Sequence, residues 1–240
     1  MLLLALLPLA RVLWPRAGGR QGYARLARGH WLRFGLPSAL LLAVTGQLAA
    51  FVTMPAAFVP AQVLAGVDRF TAMDRHRLLG SAAIGVALGV AGGLLLTAWR
   101  AWRGRPEGKL LGDASAVRPS GPDEWGWAAV VAVTAGVTEE AYFRLLLPLM
   151  AAQATGSAVA GFTGAALLFG AAHRYQGWRG VVATTVAGAA LTLGYVATGS
   201  LFAMMAVHAA GDLGQLVLRP ALRHLIVRRR SSTPPPARRE

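Results

Sequence analysis

Trp125–Met150 reads WGWAAVVAVTAGVTEEAYFRLLLPLM, an apolar run long enough to cross a bilayer yet broken near its middle by Glu139, Glu140 and Arg144. Charges at such depth cost about 2.5–3.5 kcal/mol each on insertion scales, so a membrane helix keeps them only for a reason. Comparable runs cover Phe34–Phe58, Leu78–Trp99, Gly156–Ala172, Gly180–Thr198 and Leu201–Leu218. Met1–Trp14 is a shorter candidate that carries Arg11 and lacks the plan of a signal peptide. The reading is an all-α polytopic membrane bundle of six to eight transmembrane helices. The composition agrees: 55% of 240 residues are hydrophobic and only 14% charged, with mean hydropathy +0.49. All seven tryptophans (Trp14, Trp31, Trp99, Trp102, Trp125, Trp127, Trp178) fall at span ends, where an indole favours the interface.

The formal charge of +14 does not point to nucleic acid, because the arginines sit between apolar spans without interleaved base-stacking aromatics. It points to topology. Basic residues gather in 11–33, 100–124, 173–179 and 219–240, which lie on one side if six spans alternate; Arg69, Arg75 and Arg77 lie on the other. Positive loops stay in the cytoplasm, so the C-terminus is placed there. The chain divides into a short apolar segment with a basic stretch (1–33), amino-terminal spans with a polar loop (34–124), a core (125–219) and a basic, proline-rich tail expected to be disordered (220–240). Gly85, Gly89 and Gly93 recur every four residues and are read as a face for close helix packing.

With no cysteine, chemistry must come from carboxylates, imidazoles or hydroxyls. Glu140 and Arg144, four residues apart, can meet as an ion pair on one helix face, while Glu139 is rotated away and free to face a cavity. His208 and Asp212 share the same spacing on the last span, which suits metal chelation or a proton-handling pair. His173 stands at the end of the span between. His30, His76 and His224 lie in basic connections and read as solvated. At about 1.5 Å rise per residue His173 lies deeper than Glu139, His208 and Asp212, so a tilted or broken helix must unite them around a cavity opening toward the cytoplasm.

Three motifs follow one another: Glu139-Glu140-x-x-x-Arg144, Phe169-x-x-x-His173 and His208-x-x-x-Asp212. Their order and spacing resemble the CPBP family of intramembrane proteases, which includes type II CAAX prenyl endopeptidases and bacteriocin-processing or self-immunity proteins. The resemblance covers roughly Trp125–Leu218. It implies a membrane endopeptidase of a bacterial inner membrane that acts on a membrane-associated peptide or protein: a leader, an anchor or a CAAX-type tail. In that family pattern Glu139 is the base that activates water, His173 assists, and His208 and Asp212 surround the scissile carbonyl oxygen. Glu140, Arg144 and Phe169 support them. Leu145 replaces a frequent Gly, and Asp212 stands where Asn is more usual.

An ionised Asp would repel an oxyanion that an Asn amide would stabilise. That favours a divalent metal, zinc foremost, held by His173, His208 and Asp212 with Glu139 as base or further ligand. Metal-free catalysis by Glu139 is the alternative. A non-catalytic immunity or scaffold protein of the same fold, and a proton-coupled transporter, are the competing functions; a transporter would be expected to show duplicated halves, and no repeat is visible.

Overall fold

The computed structural model describes residues 1–7, 9, 19–106 and 112–231, and among these every regular element is helical. In order they are α1 (Leu2–Leu6), α2 (Gly19–His30), α3 (Leu36–Val44), α4 (Val59–Leu64), α5 (Ala72–Trp102), α6 (Pro122–Glu140), α7 (Leu147–Thr155), α8 (Ala158–Ala172), α9 (Gly177–Thr198), α10 (Leu201–Leu213) and α11 (Arg219–Ser231). Short 3-10 turns fill several connections. Three pairs are joined without a break by a wide π turn: α2 to α3 through Trp31–Gly35, α6 to α7 through Ala141–Leu146, and α10 to α11 through Gly214–Leu218. Such turns often mark functional sites in otherwise regular helices.

Local signals explain the ends in the carboxy-terminal half. Ser157 and Ser200 each accept a hydrogen bond from a backbone N–H three residues on, capping α8 and α10. Gly156 and Gly199, at φ 75° and 71°, end α7 and α9 in the left-handed turn that a side chain disfavours. Thr71 and Asp74 form a reciprocal capping box at the start of α5.

Three helical stretches are long and apolar enough to cross a membrane by length and composition: Ala72–Trp102, Arg174–Thr198 and Leu201–Ser231. The protein is an integral membrane protein, but this measure does not reach the six to eight spans expected. The apolar run 34–58 is not one helix. It leaves helical geometry after Val44, turns at Gly46 (φ 70°) and continues through 3-10 turns to α4. Hydropathy registers apolarity but not the break. Residues 220–231, expected to begin a disordered tail, instead lie in α11; 232–240 lie outside the described residues, as do 10–18 with Arg11 and Trp14.

α6 packs on α10 and α2, α8 on α7 and α9, and α1 on α7. The short α1 is held in the core: Ala5 is buried and its carbonyl accepts from the Tyr142 hydroxyl. α5 runs parallel to α10 and α11 on the outside. Arg219 donates to Thr97 (3.0 Å), Arg223 to the Arg105 carbonyl (3.1 Å), and Arg230 to the last carbonyls of α5 at Ala101 and Trp102. At Gly85 and Gly89 the glycine face of α5 mediates no packing among the described residues. A side chain at Gly85 or Gly89 would meet open space, and Ile84, Leu88 and Leu95 beside them are exposed, as in a helix lying against lipid. At the basic end Tyr23 donates to the Val117 carbonyl (3.1 Å); burial, and then the Glu124 carboxylate, push its phenol up to about 12.

Candidate active site

The interrupted helix places its two carboxylates against two other helices. Gly136, one turn before Glu140, lets α6 approach α10 so closely that a Cβ there would lie 2.8 Å from both the Cβ and the backbone nitrogen of Ala209. That approach seats His208 on the glutamates. Its Nδ1 is 2.7 Å from Glu140 Oε1, and its Nε2 faces Glu139 Oε2 at 3.9 Å and Asp212 Oδ2 at 3.6 Å.

Glu140 has a second partner. Arg144 Nη1 is 3.0 Å from the same Oε1, so the pair expected from sequence forms, and both residues are shut away at 0% and 1% exposure. Charges so enclosed persist only with mutual compensation. Arg144 also donates to the Gly188 carbonyl (3.3 Å) and lies 4.4 Å over the Phe169 ring, a cation–π contact favoured by desolvation. Phe169 is the hub between the motifs: its ring meets those of Phe143, His173 and His208 at 5.2, 4.7 and 5.9 Å.

The structure therefore unites Glu139, Glu140, Arg144, Phe169, His208 and Asp212. His173 joins them through packing on Phe169; its Nδ1 bonds to the Phe169 carbonyl at 2.8 Å, and its ring also neighbours Tyr175. Side-chain exposure rises from Glu140 (0%) through Glu139 (8%) and His208 (9%) to Asp212 (34%), so the cluster is sealed on one side and open on the other.

Among the described residues no three His, Asp or Glu side chains are grouped to hold a metal ion. His208 spends Nδ1 on Glu140 and His173 spends Nδ1 on a backbone carbonyl, and the set His173, His208, Asp212 and Glu139 is not gathered around one point. As placed, these side chains do not form a ready ligand set for an ion.

Residues 121–214 match the family model described as type II CAAX prenyl endopeptidase Rce1-like. Over this segment the chain is similar to the Rce1-like family. No curated protein and no solved structure matches the chain. The Rce1-like segment contains every residue of the three motifs, from α6 to the end of α10.

One side chain in the cluster comes from outside the Rce1-like segment. His30, read from sequence as solvated, ends α2 with Nδ1 buried and 3.3 Å from Glu139 Oε1. A signal for it was present: Tyr23, Ala27, His30 and Phe34 follow helical spacing, and the other three are buried. The surrounding arginines obscured that stripe. His76 and His224 are exposed, as read.

Proposed function

We propose that the protein is an intramembrane endopeptidase that hydrolyses a peptide bond in a membrane-associated peptide or protein, with water activated by Glu139. The observation that carries this reading is the spacing of Glu139 Oε2, His208 Nε2 and Asp212 Oδ2. At 3.9 and 3.6 Å they are too far apart for direct hydrogen bonds and suitably spaced for a bridging water or a substrate carbonyl. Glu139 Oε2 is buried without a hydrogen-bond partner among the described residues, as a base that works on water requires.

In this reading Glu139 Oε2 takes a proton from water as the water oxygen attacks the carbonyl carbon. His208, as an imidazolium whose Nδ1–H is held by Glu140 so that Nε2 faces the reacting atoms, donates Nε2–H to the tetrahedral oxyanion. The proton on Glu139 then passes to the departing nitrogen, the C–N bond breaks, and a carboxylic acid and an amine leave. Asp212 acts as a partner of His208 rather than as an oxyanion donor, since an ionised carboxylate would repel that charge. His173 offers its second ring nitrogen at the end of α8 to assist water or substrate. Leader peptides, anchors and CAAX-type tails are the substrate classes.

The test compares membrane peptidomes of cells carrying the native chain and Glu139→Gln. Loss of the base should cut a specific product by about 10²–10⁴-fold; identical peptidomes overturn the reading. With that product's precursor as substrate, EDTA should leave the purified protein active. Activity lost to EDTA and restored by equimolar zinc would overturn the metal-free step.

A further inference from the structure

α2 reaches α6 at an unusually close crossing. In the π turn after His30, Gly35 lies on Thr138, whose methyl a Cβ would meet at 3.0 Å, and Phe34 packs on Tyr142 and Phe143 at 5.0 and 5.5 Å. The crossing brings His30, one turn before Phe34, onto the residue that follows Thr138. His30 Nδ1 is buried, makes no hydrogen bond within the described residues, and stands 3.3 Å from Glu139 Oε1; its ring leans on Phe34 at 5.9 Å. The neighbouring carboxylate, Glu140, is held by Arg144 and His208, whereas the ion-pair partners of Glu139 among the described residues are histidines: His30 at Oε1 and His208 at Oε2.

We propose that His30 is a positioning residue for Glu139, donating Nδ1–H to Oε1 and thereby turning Oε2 toward His208 and the reacting water. The inference rests on the reading of Glu139 as the base. A glutamate side chain has three rotatable bonds, and one held at a single oxygen keeps the other aimed at the attacking atom; orientation of this kind is a large part of what a site contributes to rate. The 3.3 Å separation is that of a resting site, which shortens when substrate is bound. The donor is Nδ1 rather than Nε2, and this makes the proposal testable: an Asn amide reproduces a donor near Nδ1, a Gln amide one near Nε2, and Phe keeps only the ring.

The full chain is assayed in lipid nanodiscs, with the peptide identified by the Glu139→Gln comparison as substrate. His30→Ala and His30→Gln should lower kcat about 10–100-fold with KM within about threefold, as expected when a residue that orients a catalytic group is removed. His30→Asn should stay near native. Full activity in His30→Ala alongside an inactive Glu139→Gln overturns the His30 role alone, as does an active His30→Phe beside an inactive His30→Asn, which would mean ring packing. Equal products from the native chain and Glu139→Gln would bring down the protease reading and this inference with it. Should the His30 variants not fold, ¹⁵N-histidine spectra of the native chain and Glu139→Ala decide: His30 ring resonances that shift support the contact, and unmoved ones overturn it.

Discussion

Phe169 connects the three motifs through its ring. The Arg144 guanidinium rests on one part of its ring and both site histidines touch it, so the ring sets how far the charged pair stands from the imidazoles. It is itself confined by Gly188 on α9, where a Cβ would lie 2.9 Å from the ring and 3.4 Å from Arg144 Nη2. Gly188→Ala is therefore expected to displace the ring, to destabilise the protein by about 1–3 kcal/mol as other overpacked cores are, and to slow product formation about tenfold through misplacement of His208. Thermal unfolding and rate measured on one preparation check both, and a variant native in both would show that the ring has room to move. At this scale the motif residues could be read directly, because an ionisable group in an apolar run stands out. His30 could not be read in the same way: among arginines a histidine carries no contrast, and only a helical reading of 19–34 restores it.

The helices show which signals are local. α8, α9 and α10 fall close to the expected limits because Ser and left-handed Gly residues in the sequence stop them. The break at Thr45–Gly46 and the continuation of α10 into α11 were hidden, the first by uniform apolarity and the second by a basic composition that suggests a solvated tail. The glycines of α5 misled for another reason: spacing gives a smooth face but does not say what lies against it. Gly136 is the glycine on which the site depends. Gly136→Ala must part α6 from Ala209, whose backbone is the obstacle, and should weaken the His208–Glu140 contact. We expect a loss of about 1–3 kcal/mol in stability together with loss of activity. Gly85→Ala, in open space, should change neither by more than about 0.5 kcal/mol. Unfolding and activity assays on the two variants separate these outcomes, and equal effects would refute the assignment.

Across the whole molecule, basic residues collect at one end of the long helices. The carboxy-terminal ends of α5 and α11 lie together there, joined by arginines, and the capped start of α5 lies at the other end beside Gly199. By the positive-inside rule that basic end is expected to face the cytoplasm. A fluorescent protein fused after Glu240 should fold and fluoresce, and alkaline phosphatase at the same position should stay inactive; the reverse pattern would invert the topology. The charge asymmetry itself was legible, since it is written in composition. Which helices cross on their own was not, because the helix that carries Glu139, Glu140 and Arg144 trades apolarity for chemistry.

The pairing of Glu140 with an arginine of its own helical rod has a bearing on biogenesis. Synthesis proceeds from the amino terminus, and His208 follows Glu140 by 68 residues. While α6 enters the bilayer, α10 has not yet been made, so two glutamates must be accommodated before the imidazole that will finally hold one of them exists. Arg144 is present from the outset and supplies a counter-ion to the nascent segment. The same guanidinium that organises the finished site thus serves first as an escort for its acid through insertion.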